Sequence, residues 1–410
     1  MNKKILFSLS FLSFFIFSNL SAQQIDPTFA TNGFSTADNI SHVTDMAFQS
    51  DGKIILCGSY KGPTSDYDFA FCRFNADGTL DKSFGQNGLV YHSQAVNKGG
   101  RANRIAIQSD GKIVVVGRSS LNWIVVRCNP DGTLDNTFAS AGVFLTLPKS
   151  SLFEASDVII QPDGKIVTFG DQITTRTNFA SMRLMPDGTL DKTYGKKGIN
   201  VPDFEYKPSS ADDAELMSDG GFLVLGDFFK DLAIYKLDSK GYLDPSYGKD
   251  GIQASAVSAG NISPYKMIKQ TDGKLLVLAE ASKADQKGDF VFIRYNSDGS
   301  SDLSYGDQGS VYVDFNKSNE KPRNFDLCPD GKAIVSGISF QGKAYVGCLA
   351  KVDASGKIDE SFGTKGQIVG FPGSNFFQPT AISVQKDGTI YAAGDYSSDN
   401  STRVAIVRLK

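Results

Sequence analysis

The sequence predicts an all-β fold, a seven-bladed β-propeller with four-stranded antiparallel blades, and three observations support this prediction. One repeat of about 55 residues recurs seven times along the 410-residue chain. Its strand-like segments alternate apolar and polar residues, and no helical periodicity of useful length follows residue 22. The two ends of the chain carry complementary parts of the repeat. Seven sheets packed around one axis would bury both faces of every sheet.

The first mark of the repeat is an Asp-Gly pair between two apolar runs, which predicts a hairpin. We expect a type I′ turn, because both of its central residues need positive φ and Asp-Gly supplies them. A second glycine follows six residues later in six copies, with Ala279 in the other, and we expect it to end the second strand. The pairs are Asp51-Gly52, Asp110-Gly111, Asp163-Gly164, Asp219-Gly220, Asp272-Gly273, Asp330-Gly331 and Asp387-Gly388.

Two further marks complete each copy. One is a strand that ends in a basic residue, and the other is an Asp-x-x-aromatic segment followed four residues later by a glycine. We expect each basic residue to pair with an aspartate and to tie the third strand to a weaker fourth strand, with anion binding as the alternative. The pairs are Arg73/Asp81, Arg127/Asp135, Arg183/Asp191, Lys236/Asp244, Arg294/Asp302, Lys351/Asp359 and Arg408/Asp26.

The phase of the repeat predicts how the ring closes. The chain after residue 22 begins with the third mark at Asp26 and ends with the second mark at Arg408. The last copy therefore lacks its fourth strand. We expect residues 25–37 to complete the seventh blade beside residues 404–409, because an unpaired strand edge there would be prone to pair with another chain.

These motifs resemble a known repeat. Asp51-Gly-Lys-Ile54 and the segment from Phe69 to Gly88 are similar to the delta-60 repeat of bacterial exported proteins. The resemblance covers essentially the whole chain after residue 22 and implies a β-propeller, with no activity assigned to the family as a class. The fourth copy departs most, at Asp219-Gly-Gly-Phe222. The phasing is also similar to that of NHL propellers, which implies that the strand before each Asp-Gly turn lines the central channel.

The N-terminus predicts export. Lys3 and Lys4 precede an uncharged apolar run over residues 5–17, and a small, polar stretch ends at Ala22. This is the pattern of a signal peptide, residues 1–22, that is cleaved. An uncleaved anchor is the alternative, although the apolar run is short for a bilayer. We expect residues 23–410 to form one propeller domain, periplasmic or extracellular, with no membrane span after cleavage.

Charge and cysteine usage bear on partners and redox state. Without residues 1–22 the chain has 40 basic and 45 acidic side chains, a net charge of −5. No nucleic-acid partner is expected, because such binding needs a basic surface. The five cysteines hold different repeat positions and predict no disulfide framework. Cys57 and Cys72 fall on neighbouring strands, and the sequence leaves open whether their register allows a disulfide.

Ligand binding is expected where the copies differ, since a residue common to all blades serves packing or turn geometry. The position seven residues before each turn glycine is predicted to point inward, as a polar, mixed-charge ring at one mouth of the channel. We interpret this ring as the main candidate binding site, with a solvated channel lining as the alternative. It contains Asp45, Arg104, Asp157, Asp213, Lys266, Asn324 and Ala381.

The variable loops before these strands add candidates. Segment 98–104 is basic and segment 203–215 is acidic, and opposed patches of this kind would orient a charged partner. Phe376 and Phe377 form an aromatic pair suited to sugar stacking or protein contact, with burial as the alternative. Trp123 aligns with apolar positions of other copies and is expected in the core. The charged residues of the two segments are Lys98, Arg101, Arg104, Asp203, Glu205, Asp212, Asp213 and Glu215.

Catalytic and metal-binding motifs offer little. His42 and His92 hold different repeat positions, and no nucleophile-elbow, zinc or phosphate-loop motif occurs. The segment from Asn75 to Asp81 has some oxygen donors of a calcium loop but few acids. We expect no cofactor, with Ca²⁺ as the alternative.

Together these observations predict an exported, monomeric, non-enzymatic scaffold that binds protein or carbohydrate through the loops at one channel mouth. One alternative is a carbohydrate-active hydrolase or lyase with carboxylates at that mouth, for example Asp212 with Glu215. The other is a structural surface protein that oligomerises by its edges or faces.

Overall fold

A computed structural model describes residues 25–38, 40–61, 67–92, 100–120, 122–146, 152–204, 207–229, 231–254, 261–282, 288–315, 318–371, 376–398 and 401–410. The predicted signal peptide lies outside these residues. Within them, no helix has the length and apolar character needed to cross a membrane.

The described residues form seven four-stranded antiparallel sheets, as predicted. The strands of each blade follow one another from the central channel to the outer edge. Blade 1 contains β2 (Ser41–Phe48), β3 (Ile54–Lys61), β4 (Tyr67–Phe74) and β5 (Leu89–His92). Blade 2 contains β6 (Gly100–Ile107), β7 (Ile113–Ser119), β8 (Asn122–Cys128) and β9 (Val143–Leu145). Blade 3 contains β10 (Leu152–Ile160), β11 (Ile166–Ile173), β12 (Thr177–Leu184) and β13 (Ile199–Asn200).

The remaining blades follow in chain order, and the last also takes the first strand of the chain. Blade 4 contains β14 (Asp213–Leu216), β15 (Phe222–Phe228), β16 (Asp231–Leu237) and β17 (Ile252–Ala254). Blade 5 contains β18 (Asn261–Lys269), β19 (Leu275–Ser282), β20 (Gly288–Tyr295) and β21 (Ser310–Val313). Blade 6 contains β22 (Glu320–Leu327), β23 (Ala333–Phe340), β24 (Tyr345–Val352) and β25 (Gln367–Val369). Blade 7 contains β26 (Phe377–Val384), β27 (Ile390–Ser398), β28 (Ser401–Leu409) and β1 (Phe34–Ala37).

Ring closure occurs as the repeat phase predicts. Strand β1 pairs antiparallel with β28, from Phe34 opposite Val407 to Ala37 opposite Val404. The Arg408 guanidinium pairs with the buried Asp26 carboxylate at 2.7 Å. The first and last segments of the chain are thus joined without a covalent link.

The core lies between blades rather than inside any one of them. Seven apolar clusters each join two neighbouring sheets. Trp123 lies in the cluster between blades 2 and 3 and is buried, as expected. Since each sheet has a neighbour on both faces, its strands are buried on both sides and the fold depends on the complete ring.

Cys57 and Cys72 do not form a disulfide, and the register explains why. Cys57 lies opposite Phe71, and Cys72 lies opposite Leu56, so the two side chains point to opposite faces of blade 1. Cys57 packs against blade 2, whereas Cys72 packs against blade 7. Both thiols are buried and free.

The Asp-Gly hairpins are confirmed, but the expected type I′ turn is wrong. All seven glycines have positive φ, for example 81° at Gly52, whereas none of the preceding aspartates does. The Gly52 N–H donates to the Gln49 carbonyl and the Gln49 N–H donates to the Lys53 carbonyl, both at 2.9 Å. This is a three-residue loop with one left-handed residue at its end, which only glycine adopts without strain.

The recurring ion pairs are largely confirmed and join more than two strands. Six of the seven predicted pairs form, with nitrogen–oxygen distances of 2.7–2.9 Å. In blade 6, Asp359 pairs with Lys332 instead of Lys351. Arg127 also stacks 4.4 Å from the Phe138 ring centroid and donates to the Pro186 carbonyl of the next blade. The Asp-x-x-aromatic motif therefore serves as a structural link between blades.

Candidate functional site

The predicted ring of mixed charge lies deeper than expected. Asp157, Asp213, Asn324 and Ala381 are all buried. The Asp45, Asp157 and Asp213 carboxylates each accept a hydrogen bond from a backbone N–H of the next blade, at 3.1, 2.8 and 2.8 Å. These side chains link neighbouring inner strands, and such bonds use the oxygens that a ligand would otherwise contact.

Arg104 forms ion pairs with two members of this ring. Its guanidinium lies 3.0 Å from Asp157 and 2.7 Å from Asp213. Burial raises the pKa of both carboxyls, although the nearby Arg104 opposes the rise. Lys266 donates separately to the Asn324 side chain at 2.8 Å. The ring is thus divided into internally satisfied groups, with Asp45 and Ala381 outside both.

A β-bulge explains why residues beside the predicted position also reach the channel mouth. The register between inner and second strands shifts at this point in six blades, for example between Ala102 and Arg104. A bulge places two residues opposite one and re-aims the extra side chain. In those six blades the residue before the predicted ring residue lies within the shifted stretch, and Asp212 holds the same repeat position in blade 4. We call these the bulge residues: Thr44, Asn103, Ser156, Asp212, Tyr265, Arg323 and Thr380.

Two sequence signals mark the bulge. The glycine expected to end each second strand instead lies inside that strand, as Gly117 does in β7. A Cβ added at Gly117 would lie 2.0 Å from the Arg101 carbonyl oxygen, so the bulged backbone needs glycine opposite it. Pro264, Pro322 and Pro379 lie within inner strands two residues before the ring position. Proline inside a strand is typical of a bulge or an edge.

Six of the seven bulge residues line one cavity of about 830 Å³. It lies at the end of the channel where the inner strands begin, and we call it the mouth cavity. Arg104 and Asn324 of the predicted ring also reach it. Its other polar side chains include Arg101, Arg118, His42, Gln378 and Asp395.

Some polar groups of the mouth cavity are already engaged. The Thr44, Asn103 and Thr380 side chains donate to backbone carbonyls of the following blade, at 2.9, 2.7 and 2.6 Å. Asp395 accepts from the Val43 N–H and contacts His42, both at 3.0 Å. These contacts close the ring and take little part in ligand recognition.

Other groups are unengaged. Among the described residues, the side chains of Arg101, Ser156, Arg323 and Gln378 have no hydrogen bond or ion pair. Arg118 has one contact, 3.5 Å from Glu154, which is long for an ion pair. The mouth cavity therefore presents cationic, amide and hydroxyl groups that can bind a ligand without breaking the inter-blade contacts.

A second cleft of about 660 Å³ lies at the same end of the ring and is acidic. Asp171, Asp212 and Asp227 line it together with serine hydroxyls and the exposed Phe229 ring. Burial raises the pKa of Asp171 to about 7 and that of Asp227 to about 6. Burial and these two neighbours raise the pKa of Asp212 well above its ordinary value. We call this the acidic cleft.

The charged segments named from sequence are divided between the two cavities. Arg101 lies in the mouth cavity, and Asp212 lies in the acidic cleft. Glu215 does not join Asp212, since it accepts a hydrogen bond from the Lys269 N–H at 3.3 Å. Asp203 is exposed. Lys98 and Glu205 lie outside the described residues.

The predicted aromatic pair is split by burial. Phe377 is buried, and its ring lies 4.8 Å edge-on from Phe371 between blades 6 and 7. Phe376 is 45% exposed. Only Phe376 is therefore accessible to a ligand or partner.

The segment considered as a calcium loop is held by its own hydrogen bonds. Asp77 accepts from the Thr79 N–H and hydroxyl at 2.9 and 2.7 Å, and Asp81 pairs with Arg73. Within the described ranges, no group of three or more histidine, cysteine, aspartate or glutamate side chains is arranged to hold a metal ion.

Five segments match the model of a family described as a domain of unknown function (DUF5122) β-propeller. They contain β-propeller repeats. The matched residues are 49–84, 108–138, 161–194, 270–305 and 385–410, and they fall on blades 1, 2, 3, 5 and 7. The fourth and sixth copies are not matched, and the fourth is the one that departs most in sequence. No curated protein matches the chain.

Solved structures share the fold at low identity. An ulvan lyase of a polysaccharide lyase family (PL25), bound to -[GlcA(1-4)Rha3S]-, is 13% identical over 93% of this chain and 95% of its own, with a TM-score of 0.52. A protein of unknown function from Dyadobacter fermentans is 11% identical over 92% of this chain and 99% of its own, with a TM-score of 0.47. At these identities the likeness concerns the fold alone.

Proposed function

We propose that this protein is an exported, non-catalytic scaffold that binds a carbohydrate in the mouth cavity. The observation that carries the proposal is a cavity of about 830 Å³ whose polar lining comes from six blades. Small-molecule sites usually occupy about 300–1,000 Å³. Free amide, hydroxyl and guanidinium groups match the hydroxyls of a saccharide, and the Tyr265 ring offers a surface for a sugar face.

A carbohydrate is favoured over a protein partner by where the apolar surface lies. Protein interfaces depend on buried aromatic and apolar anchors. Among the described residues, none of the large apolar side chains that are exposed lines the mouth cavity. Those side chains are Tyr91, Phe229, Tyr242, Leu303, Tyr312, Phe340, Val369 and Phe376.

The comparisons support a saccharide ligand only indirectly. The similar lyase structure holds -[GlcA(1-4)Rha3S]-, which illustrates that a protein of this fold can accommodate a saccharide. We also propose that the repeats are delta-60 repeats, on the motifs between Asp51 and Gly88.

A carbohydrate-active hydrolase or lyase is the second candidate, and the acidic cleft is the observation that favours it. Glycosidic acid–base chemistry needs one protonated and one ionised carboxyl group near the scissile bond. With pKa values of about 7 and about 6, Asp171 would hold its proton in part of the molecules near neutral pH while Asp227 would be mostly ionised. Turnover of a glycan library by the native protein, lost in Asp171→Asn and Asp227→Asn, would establish this activity.

The binding proposal is tested by filling the mouth cavity. The native chain and two variants are applied to a glycan array: Ser156→Tyr, which places a ring in the cavity, and Ser109→Tyr. Ser109 is an exposed residue in the Asp-Gly turn at the opposite end of the channel. We expect Ser156→Tyr to weaken glycan retention at least about 10-fold and Ser109→Tyr to leave it unchanged.

Two results would overturn the proposal. One is retention of the same glycan by Ser156→Tyr and the native chain. The other is no retained glycan together with a particle size that grows with protein concentration, which would favour the structural alternative.

A further inference from the structure

We infer that the carbohydrate bound in the mouth cavity is acidic and that Arg323 and Arg101 hold its carboxylate groups. The inference rests on the proposed function and specifies the ligand class of that site. Two cations with no hydrogen-bond or ion-pair partner among the described residues line the same cavity, and their placement by separate blades sets the geometry of recognition.

Arg323 is the unusual member of the bulge residues. Three of the others close the ring through backbone carbonyls, and Tyr265 donates to Glu280 at 3.0 Å. Arg323 is half-buried, yet within the described residues its guanidinium has no hydrogen bond or ion pair. Withdrawing a cation from water without an anion costs free energy. A carboxylate that accepts two parallel N–H bonds would offset that cost.

Arg101 supplies a second cation on the same cavity. It is exposed at the start of β6 and has no partner among the described residues. Among the described residues, the carboxylate that lines the cavity is Asp395, which is bonded to His42 and Val43 and to neither arginine. The full chain has a net charge of −3, so this concentration of positive charge is local.

The acidic cleft restricts how such a ligand lies. Its three carboxylates belong to the sides of blades 3 and 4 at the same end of the ring. Burial raises the pKa of all three, so above about pH 7, where Asp171 and Asp227 are ionised, they would repel a polyanion from that side, and an acidic glycan would lie across blades 6, 7, 1 and 2. Gln378 of blade 7 lines that path, and its unengaged amide is suited to uncharged sugar hydroxyls.

The test compares ligands that differ only in charge. Tetragalacturonate and its fully methyl-esterified form are titrated into the native protein and followed by calorimetry, with a tetraglutamate peptide as a third ligand. The variants are Arg323→Gln, Arg323→Lys and Arg101→Gln. The control is Lys386→Gln, an exposed cation at the opposite end of the channel.

We expect the native protein to bind the acid at least about 10-fold more tightly than the ester, the usual difference for charge-assisted hydrogen bonds. Arg323→Gln should remove this preference, Arg323→Lys should restore part of it, and Lys386→Gln should leave it unchanged. The urea midpoint of Arg323→Gln should not fall below that of the native protein, since among the described residues the side chain has no hydrogen-bond or ion-pair partner to lose. Added salt should lower the affinity for the acid and leave the affinity for the ester unchanged.

Three outcomes would overturn the inference in different ways. Equal affinity for acid and ester would refute the acidic ligand class while leaving carbohydrate binding intact. Tighter binding of tetraglutamate would assign the cations to an acidic peptide instead. A screen in which neither these ligands nor any arrayed glycan binds would refute the proposed function as well.

Discussion

Neutralising one carboxyl of the acidic cleft should stabilise the fold at alkaline pH. Asp171 lies in β11 near Asp212, Asp227 and Glu154, and burial raises its pKa from 3.8 to about 7. A carboxyl whose pKa is higher in the folded state destabilises that state as pH rises above its unfolded pKa. We therefore expect Asp171→Asn to be more stable than the native protein at pH 8, because asparagine carries no charge to bury.

The expected change in the free energy of unfolding follows from the pKa shift of Asp171. A change from 3.8 to about 7 corresponds to roughly 4 kcal/mol at pH 8, where the folded group is ionised. Asp171 is only partly buried, and solvent screens its charge, so we expect about 1–2 kcal/mol. The gain should shrink steadily below pH 7, be small at pH 4 and vanish below about pH 3, where both folded and unfolded states hold the proton. An asparagine side-chain oxygen can still accept the Ala211 N–H that Asp171 accepts at 3.1 Å.

The assay is urea unfolding followed by the fluorescence of Trp123, the single tryptophan of the chain, at pH 8, 6 and 4. Asp81→Asn serves as a control in which the opposite change in stability is expected. Although burial raises its pKa, hydrogen bonds from Ser83 and the Arg73 charge lower the pKa of Asp81 to about 2. That variant should lose stability at pH 8. An unchanged or lower urea midpoint for Asp171→Asn at pH 8, with an unchanged slope, would refute the electrostatic account of the acidic cleft.

Three further predictions concern the ring. Asp26→Asn should lower the free energy of unfolding by about 2–4 kcal/mol in urea at pH 7, because it removes the buried anion that pairs with Arg408 across the closure. Hydrogen bonds and nearby cations lower the Asp26 pKa despite burial, so the native protein should lose this contribution as pH falls below about 4. A variant as stable as the native protein at pH 7 would contradict this prediction. Arg104→Met should destabilise the fold by about 3–5 kcal/mol at pH 8 and by less at pH 5, where its partners Asp157 and Asp213 take up protons. A loss of stability that does not depend on pH would argue against this pairing. Cys57 and Cys72 should be unreactive towards a thiol reagent in the folded protein, and both should react after unfolding in urea without reductant. Two fewer reactive thiols than the chain contains would indicate a disulfide.

The structural repeat was predictable because its chemistry is local and recurs. The Asp-Gly pair, the basic strand end and the Asp-x-x-aromatic segment lie within about 40 residues of one another in each copy. Their order alone places β1 beside β28 and pairs Asp26 with Arg408. The turn type was wrong because Asp-Gly also suits a three-residue loop, in which only the glycine takes positive φ.

The candidate site was only partly predictable. Arg104, Arg101 and Asn324 were named from sequence and do line the mouth cavity, whereas Arg323, Ser156 and Gln378 were missed. Side chains alternate faces along a strand, so alternation alone does not predict where the extra side chain of a bulge points. Gly117 inside β7 marks the bulge, but it was interpreted as a strand end.

By itself, the sequence determined the number of blades, the order of their strands, the way the ring closes and the ion pairs that link the blades. Each of these depends on contacts within one repeat or between equivalent positions of adjacent repeats. Only the tertiary structure decided which polar side chains stay free. Arg101 and Arg323 are far apart in sequence and lie on different blades, and closure of the ring brings both to one cavity. Whether a polar group faces a ligand or a neighbouring backbone depends on the bulge and on the next blade, and neither can be derived from a single repeat.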